Sequence, residues 1–271
     1  MTDDQRKIMA ELCVADAFDV EADRERRIGF LADYLTTSGA RAYVLGISGG
    51  IDSLTAAMLA QEAVRRLRGK GSDAEFIAVR LHYGVQADEA DAQASLDVIR
   101  PDRVVTVNIK EAADAMMSEV TREAGDLLSS GRQDFHHGNI KARERMIAQY
   151  AIAGAAGGLV IGTDHAAEAL MGFFTKFGDG AADVVPLTGL NKRRVRALAA
   201  SMGAPANLVY KVPTADLETN VPLRPDEDAF GVTYDQIDDF LEGKEIDPHA
   251  RDRILATYKS SAHKRALPTA P

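Results

Sequence analysis

Cysteine, tryptophan and long apolar runs are scarce or missing in this chain of 271 residues. Its one cysteine, Cys13, excludes an internal disulfide and a zinc site built from cysteines. No stretch approaches the roughly 18 consecutive apolar residues of a membrane-spanning helix. The N-terminus lacks the basic region and the apolar run of a signal peptide. These absences predict a cytoplasmic protein without a membrane partner.

Basic residues are outnumbered as well. The chain has 41 acidic and 32 basic side chains, a net charge of −9 with neutral histidines. Such an acidic chain is not expected to bind nucleic acid non-specifically, because the phosphates would repel it. Hydrophobic residues are plentiful, at 46% of the total, and are sufficient to bury a core. The composition therefore predicts a globular protein that binds neither nucleic acid nor membrane.

Short β-branched runs alternate with longer helical patterns along the chain. This alternation predicts an α/β fold: an open, mainly parallel, twisted sheet with helices on both faces. The predicted strands read as near-continuous apolar runs, as buried parallel strands do, and lie at 40–48, 75–81, 103–109 and 159–163. Helical patterns lie at about 21–37, 52–68, 86–99, 111–129, 139–155 and 191–202.

Proline is concentrated between residues 203 and 228, in a stretch of little periodicity. Proline removes a helix donor and restricts the residue before it, so this segment is predicted to be a loop. Loops of this length in compact domains are commonly lids or linkers. Two short helices are expected to follow, because apolar residues recur at helical spacing in 234–241 and 254–258.

The strongest local motif is an octapeptide between a predicted strand and a predicted helix: Gly46, Ile47, Ser48, Gly49, Gly50, Ile51, Asp52 and Ser53. Adjacent glycines let a backbone approach a ligand closely, and a helix N-terminus offers free N–H groups to an anion. Both the Walker lysine and the dinucleotide fingerprint are absent. The pattern S-G-G-x-D-S is instead that of the PP-loop of the ATP pyrophosphatases. The alternative is a tight turn in which Asp52 caps the helix.

Asp52 stands where its carboxylate would compete with phosphate for the same positive field. That placement is consistent with Asp52 holding a Mg²⁺ ion that bridges phosphate oxygens. Ligands of open α/β sheets bind beyond the carboxyl ends of the strands. Glu168 could therefore share this Mg²⁺, and Thr163 could bond to adenosine. The alternative is a plain acidic helix start formed by Asp164 and Glu168.

Three other polar features carry a weaker signal. Lys192 begins a predicted helix next to the proposed triphosphate site, although a lone lysine is usually a solvated surface charge. The pair His136–His137 indicates an ordinary loop rather than a metal site, because no second pair of ligands accompanies it. His165 is expected to serve packing or local hydrogen bonding.

Six blocks of the sequence together resemble the ammonia-dependent NAD⁺ synthetases. The blocks are GISGGIDS (46–53), GVQADE (84–89), NIKARERM (139–146), GTDHAAEALMGFFTKFGDG (162–180), PTADLE (213–218) and GVTYDQIDDFLEGK (231–244), and His263, Lys264 and Arg265 follow them. They occur in family order across nearly the whole chain. The first block alone marks only the wider superfamily, whereas GTDHAAE with FFTKFGDG and PTADLE is far more specific. The resemblance implies the Rossmann-like fold of the adenine nucleotide alpha hydrolases.

The resemblance also implies a reaction. Mg-ATP adenylates the nicotinate carboxylate of deamido-NAD⁺ and releases pyrophosphate, and ammonia then attacks the mixed anhydride to give NAD⁺ and AMP. Such an enzyme works by positioning and by electrostatic stabilisation. No side chain acts as a covalent nucleophile, which agrees with the absence of a convincing Ser-His-Asp or Cys-His set.

By position, the resemblance implies three groups of site residues. Those expected to contact ATP are the octapeptide 46–53, Arg80, Thr163, Lys192 and Thr214. Those expected to bind deamido-NAD⁺ are Arg143, Lys176, Asp183, His263 and Lys264, together with the aromatic residues Tyr34, Phe135, Tyr150 and Phe173. Those expected to bind Mg²⁺ are Asp52 and Glu168. For the four aromatic residues, a role in the core is the alternative.

Two departures from the family pattern stand in these blocks. Ile51 replaces a glutamine, which the wider superfamily tolerates. His82 replaces a proline, which weakens the assignment of Arg80 because the turn after strand 75–81 could differ.

The resemblance finally implies a homodimer with the deamido-NAD⁺ site at its interface. Residues 1–271 are expected to form one domain: a PP-loop core at about 21–203, a lid at about 203–228 and C-terminal helices at about 229–265. No glutaminase domain is expected, so the nitrogen donor is ammonia. The alternatives are another adenylating amidase with a PP-loop and a non-catalytic sensor of adenine nucleotides.

Overall fold

The computed structural model describes residues 1–84, 89–128, 131–215 and 224–270. Its strands are β1 Ala42–Gly46, β2 Glu75–His82, β3 Arg103–Asn108, β4 Gly158–Val160, β5 Thr214–Ala215 and β6 Arg224–Pro225. Its helices are α1 Asp3–Glu11, α2 Val20–Ser38, α3 Ile51–Gly69, α4 Glu89–Ile99, α5 Lys110–Ala124, α6 Gln133–Ala156, α7 Ala166–Met171, α8 Lys192–Ser201, α9 Ala206–Val209, α10 Asp226–Phe230, α11 Tyr234–Leu241, α12 Pro248–Ser260 and α13 Ala262–Arg265.

The main sheet has four parallel strands in the order β3-β2-β1-β4. The chain adds β2 and β3 on one side of β1 and then returns to place β4 on the other side. A bridge between Ile161 and Val184 continues the β4 edge. The strand order reverses between β1 and β4, and ligands of such sheets bind in the crevice at this point.

Both faces of the sheet are buried. Successive side chains of a strand point to opposite faces: Tyr43 and Leu45 of β1 lie in the core formed with α2, α3 and α8. Ala42 and Val44 lie in the smaller core on the other face, where α6 contributes Ala153. Helices therefore cover both faces, which confirms the predicted α/β fold with its parallel sheet.

A third apolar cluster joins α1, α7, α11 and α12. Leu170, Ile237 and Phe240 are among its buried members. The side-chain amide of Gln5 on α1 donates to the carbonyl of Phe240, at 2.7 Å. This cluster holds α7, a helix of only six residues, in a fixed place beside the sheet. Within the described residues, no helix combines the length and apolar character needed to cross a bilayer.

Most predicted elements of the sheet region are present, with shifted ends. All four predicted strands form, although the last one ends at Val160 rather than 163. The prediction of a loop at His136–His137 is wrong, because α6 begins at Gln133 and contains both residues. The helix predicted at 111–129 ends at Ala124. Residues 86–88 of one predicted helix, and residue 129, lie outside the described residues.

The prediction of a plain loop over 203–228 is wrong in part. The segment contains α9, the start of α10 and a short antiparallel pair in which Thr214 lies opposite Pro225. Pro205 stands at the N-cap of α9, a position that needs no helical N–H donor. Residues 216–223 of the predicted lid lie outside the described residues. The helices α11 and α12 follow where two short helices were expected.

Candidate active site

The octapeptide 46–53 forms a turn that leads from β1 directly into α3. The turn is held by its own hydrogen bonds. The hydroxyl oxygens of Ser48 and Ser53 are hydrogen-bonded at 3.1 Å, and the Gly50 N–H donates to Ser48 Oγ at 3.2 Å. The Ile47 N–H donates to the carbonyl of Val79 at 2.9 Å. Gly50 is the N-cap of α3 and provides no side-chain cap. The first N–H groups of this 19-residue helix therefore have no side-chain cap and suit an anion.

Gly49 is the position of this turn where no residue with a Cβ fits without strain. Its φ is +84°, in the left-handed region, and a Cβ at this position would lie 2.9 Å from the backbone nitrogen of Ala92. The turn therefore packs directly against the first residues of α4. This contact sets the distance between the octapeptide and Asp91, the residue that precedes Ala92.

Gly49→Ala should lower the free energy of unfolding by about 1–3 kcal/mol, because strain at positive φ and overpacking against backbone act together. Gly50→Ala is the matched control, since Gly50 has φ −86° and its added Cβ would meet only the Ser48 hydroxyl, at 3.3 Å. Denaturant unfolding of both variants measures the difference. Equal losses in the two variants would show that the contact with α4 does not restrict this turn.

A cavity of about 440 Å³ opens in front of the octapeptide. This volume is in the range of sites for small organic ligands. Its walls come from the ends of β1 and β4, from α6, from residues 172–181 and from residues 211–214. Of the residues predicted to bind ligands or metal, the cavity is lined by Gly46, Ile47, Ser48, Gly50, Ile51, Asp52, Ser53, Phe135, Thr163, Glu168, Phe173, Thr214 and Lys264.

Two residues that line this cavity belong to a cluster of four ionisable side chains. The cluster, here called the acid–lysine cluster, consists of Asp52 and Glu168, which line the cavity, and of His165 and Lys192, which lie behind them. Lys192 Nζ lies 2.7 Å from Asp52 Oδ2. His165 Nε2 lies 3.3 Å from Asp52 Oδ1, 3.6 Å from Glu168 Oε2 and 3.4 Å from Lys192 Nζ. His165 and Lys192 are each 1% exposed. The cluster joins α3, α7 and α8, which are remote in sequence.

Burial and mutual charge set the ionisation of this cluster. Burial opposes the negative charge of Asp52, but Lys192 and His165 outweigh it, so the pKa of Asp52 lies below its usual value. Burial, and then the charge of Asp52, raises the pKa of Glu168 well above its usual value. Burial lowers the pKa of His165 and favours its neutral form. The cluster therefore favours an ionised Asp52 paired with the ammonium group of Lys192, and Glu168 is the carboxyl group less ready to ionise.

A further acid lies beside the cluster. Burial, followed by the charges of Asp179 and Asp52, raises the pKa of Asp164 to about 7. The alternative of a plain acidic helix start at Asp164 and Glu168 is incomplete, because Glu168 belongs to the buried cluster and not to a solvated helix surface.

Lys192 is placed by backbone contacts at the start of α8. Asp238 of α11 accepts from the N–H groups of Lys192 and Arg193, at 3.0 and 2.7 Å. The N-cap Asn191 accepts from the Arg194 N–H at 2.9 Å. The ammonium group also lies 4.8 Å from the centre of the Tyr234 ring. Lys192 is thus a fixed internal cation, contrary to the usual surface role of a lone lysine.

A second cavity, of about 380 Å³, lies next to the first. Arg143, Lys176, His263 and Lys264 supply its basic side, and Lys264 lines both cavities. Lys264 Nζ donates to the carbonyls of Gly172 and Phe174, each at 2.9 Å, which places the charge at the junction. Its apolar side includes Phe135, Met117, Val120, Leu128 and Ile140.

Six predicted ligand residues lie outside the described walls of both cavities. Two of them, Gly49 in the turn and Lys192 behind Asp52, are described above. Arg80 is buried and donates to Glu89 at 2.8 Å. Tyr34 is exposed and stacks against Phe30. The other two are Tyr150, which packs against the core under α6, and Asp183, whose carboxylate accepts from the Val160 N–H at 2.7 Å. Their predicted contacts with ligands stay predictions.

The sequence interpretation missed several residues of the site. His165 has a central place in the acid–lysine cluster, beyond the packing or local hydrogen bonding expected of it. Gln149 and Arg145 of α6 line the first cavity, and Gln149 Oε1 accepts from the Gly46 N–H at 2.7 Å. Lys211 lines the same cavity. Positions 138, 142, 145 and 149 recur at helical spacing, and this stripe was the available signal for the two residues of α6.

Comparisons with known proteins agree with this geometry. A family model described as NAD synthase matches residues 24–268. The chain belongs to the NAD synthase family. Membership confirms the predicted class of enzyme, a nucleotide-binding ligase of NAD biosynthesis. It also confirms the resemblance drawn from the six sequence blocks.

Three members illustrate the similarity. The NH(3)-dependent NAD(+) synthetase of Burkholderia ambifaria (strain MC40-6) is 62% identical over 264 residues, covering 97% of this chain and 94% of the relative. The crystal structure of the NAD⁺ synthetase of Burkholderia pseudomallei has a TM-score of 0.84 at 60% identity, covering 97% and 96%. The NMN synthetase of Francisella tularensis has a TM-score of 0.81 at 35% identity, covering 94% and 99%.

Proposed function

We propose that the chain makes NAD⁺ by ATP-dependent amidation of deamido-NAD⁺ with ammonia. The observation that carries this proposal is the acid–lysine cluster, whose two carboxylates line the cavity in front of the PP-loop octapeptide. A triphosphate bears about four negative charges, and a helix N-terminus contributes only about 0.3–1 kcal/mol toward an anion. The buried cation Lys192 supplies part of the positive charge that the helix lacks, and a Mg²⁺ ion held by the two carboxylates would supply the rest.

ATP fits the first cavity with its phosphates toward the octapeptide. The N–H groups at the start of α3 and the hydroxyls of Ser48 and Ser53 are the donors available there. Thr163 and Thr214 line the same cavity and are the proposed contacts with the rest of the nucleotide.

Mg²⁺ fits the acid–lysine cluster, with Asp52 and Glu168 as its proposed ligands. Donor atoms of Asp52, His165 and Glu168 all lie within 4.8 Å of one another. Mg²⁺ prefers oxygen ligands, so the two carboxylates suit it and His165 remains a neighbour. When bound, the ion would neutralise charge on the phosphates.

The proposed chemistry has two steps. A carboxylate oxygen of the nicotinate attacks the α-phosphorus of ATP, and the bond to pyrophosphate breaks. Ammonia then attacks the acyl carbon, the bond to the AMP oxygen breaks, and the attacking nitrogen loses a proton. The chain's part is to hold two polyanions in line and to stabilise charge at the α-phosphate. Lys192, the buried cation paired with Asp52, is the residue we propose for this stabilisation.

Deamido-NAD⁺ fits the second cavity, where basic and apolar walls face each other. Arg143, Lys176, His263 and Lys264 suit its phosphates, and Phe135 offers a flat surface to a ring. We also propose that the chain forms a homodimer. Further residues proposed to bind this substrate are Tyr34, Tyr150, Asp183 and Phe173. In support of a dimer, Ile147 of α6 is 53% exposed and Phe30 beside Tyr34 is 45% exposed, which are large values for such side chains.

The test incubates the purified chain with Mg-ATP, ammonium and deamido-NAD⁺. We expect NAD⁺, AMP and pyrophosphate in equal amounts. Nicotinate mononucleotide is the control substrate, because one relative is an NMN synthetase, and it should react at least tenfold more slowly. Glutamine in place of ammonium should give no product. Preferential amidation of the mononucleotide, or ATP binding without AMP formation, would contradict the proposal and favour another amidase or a sensor.

A further inference from the structure

Lys211 lies at the rim of the octapeptide, on the segment that leads into β5. Its Nζ is 2.7 Å from Asp91 Oδ2 and 3.5 Å from the carbonyl oxygen of Gly49. Lys211 also lines the first cavity, together with Ser48, Gly50 and Asp52. A second lysine, besides Lys192, therefore stands close to the turn.

The position of Asp91 is imposed by packing. Gly49 has no Cβ, and the backbone of Asp91 and Ala92 approaches it so closely that a Cβ would lie 3.2 Å from the carbonyl carbon of Asp91. A carboxylate is thereby fixed next to a turn that is built to bind phosphate. Alone, this negative charge would repel a triphosphate. Lys211 neutralises it.

The pair is partly exposed to water, and this exposure allows an exchange of partners. The Lys211 side chain is 23% exposed and that of Asp91 is 41% exposed, so the bond between them faces water and is worth little by itself. A triphosphate carries more charge than one carboxylate. An ammonium group on a flexible stem can turn from the carboxylate to phosphate oxygens without a change of backbone.

We propose that Lys211 is a phosphate-binding residue for ATP, and that Asp91 holds its ammonium group at the rim until the triphosphate enters. On nucleotide binding, Lys211 Nζ leaves Asp91 and bonds to phosphate oxygens. This inference rests on the proposed function in one respect, namely that ATP occupies the first cavity. The competing explanation is that the pair only ties residues 211–214 to α4.

The two explanations differ in what Asp91→Asn does. If the pair only ties two segments together, loss of either partner weakens nucleotide binding equally. If Asp91 competes with phosphate for Lys211, its neutralisation frees the lysine and strengthens binding. The effect of Asp91→Asn must then vanish when Lys211 is absent.

The experiment measures, by calorimetry, the dissociation constant of α,β-methylene-ATP from the full chain in the presence of Mg²⁺. This analogue is not cleaved between its α- and β-phosphates. Lys211→Met should weaken binding about tenfold, and Lys211→Arg should stay within about twofold of wild type. Asp91→Asn should tighten binding about threefold, and the double variant should equal Lys211→Met. Lys244→Met is the matched control, because Lys244 is also ion-paired but lies outside the described cavity walls, and it should change nothing.

Three results would overturn the inference. The first is a dissociation constant for Lys211→Met equal to that of wild type. The second is a loss of affinity for Asp91→Asn as large as that for Lys211→Met. The third is a wild-type chain that does not bind the analogue. A wild-type chain that binds the analogue but forms no NAD⁺ would contradict the proposed function alone, and the pattern of dissociation constants would still decide the role of Lys211.

Discussion

Asp52→Asn should lower the rate of NAD⁺ formation by about 1000-fold or more and leave the chain folded. The substitution keeps the shape of the side chain but removes the charge that pairs with Lys192 and that we assign to Mg²⁺. Losses of this size follow when one preorganised electrostatic group or one metal ligand is removed from an active site.

The fold should survive this change because Glu168 can replace Asp52 as the partner of Lys192. Burial and the charge of Asp52 together raise the pKa of Glu168. Without that charge, Glu168 loses a proton more readily and pairs with the ammonium group. Steady-state rates and thermal unfolding measure the two effects. Asp97→Asn, an exposed change on α4, is the control. Turnover within tenfold of wild type would remove Asp52 from the mechanism.

Lys192→Met should reduce turnover at least about 100-fold and also lower the free energy of unfolding by about 3–5 kcal/mol without Mg²⁺. Removal of one partner from a buried ion pair leaves the other charge uncompensated, and such changes cost this much. Here the remaining charge belongs to Asp52, which lines the first cavity. Added Mg²⁺ should stabilise this variant more than wild type, because the ion supplies the missing positive charge.

The double variant Asp52→Asn with Lys192→Met controls for packing. It removes both charges, so it should be more stable than Lys192→Met alone while remaining inactive. Denaturant unfolding with and without Mg²⁺ compares the four chains. A Lys192→Met variant as stable as wild type would show that the pair contributes nothing to the fold.

The features that could be predicted from the sequence are those that depend on neighbouring residues. The strand before the octapeptide and the helix after it produce apolar patterns of different period, and the turn between them needs its glycines in order. Gly49 shows why, since only glycine accepts a φ of +84° against the backbone of α4. Asp52 and Glu168 were predicted as partners because both follow strands whose carboxyl ends meet at one edge of the sheet.

The acid–lysine cluster could be predicted only in part, because it depends on contacts between remote elements. His165 lies between the two carboxylates only because α7 is fixed by the cluster of α1, α11 and α12. No pattern in the sequence around His165 predicts this packing. Likewise, the pairing of Lys192 with Asp52 depends on Asp238 of α11, which lies 46 positions after Lys192 and holds the first residues of α8.

Helix ends were the least predictable elements. Residues 133–138 at the start of α6 are mostly polar and have no apolar periodicity, although Gly138, Lys141 and Ala142 of this helix are buried. The place of Arg145 and Gln149 in the cavity wall was missed as well, because it depends on how the middle of this helix packs against the sheet.

The central claim is that the nicotinate carboxylate is activated by transfer of AMP, and oxygen labelling tests it most directly. The purified chain converts deamido-NAD⁺, labelled with ¹⁸O in both carboxylate oxygens, in the presence of Mg-ATP and ammonium. Mass spectrometry then measures the ¹⁸O content of each product. We predict one labelled oxygen in AMP, one in the carboxamide of NAD⁺ and none in pyrophosphate. Label in pyrophosphate, or AMP without label, would contradict the account.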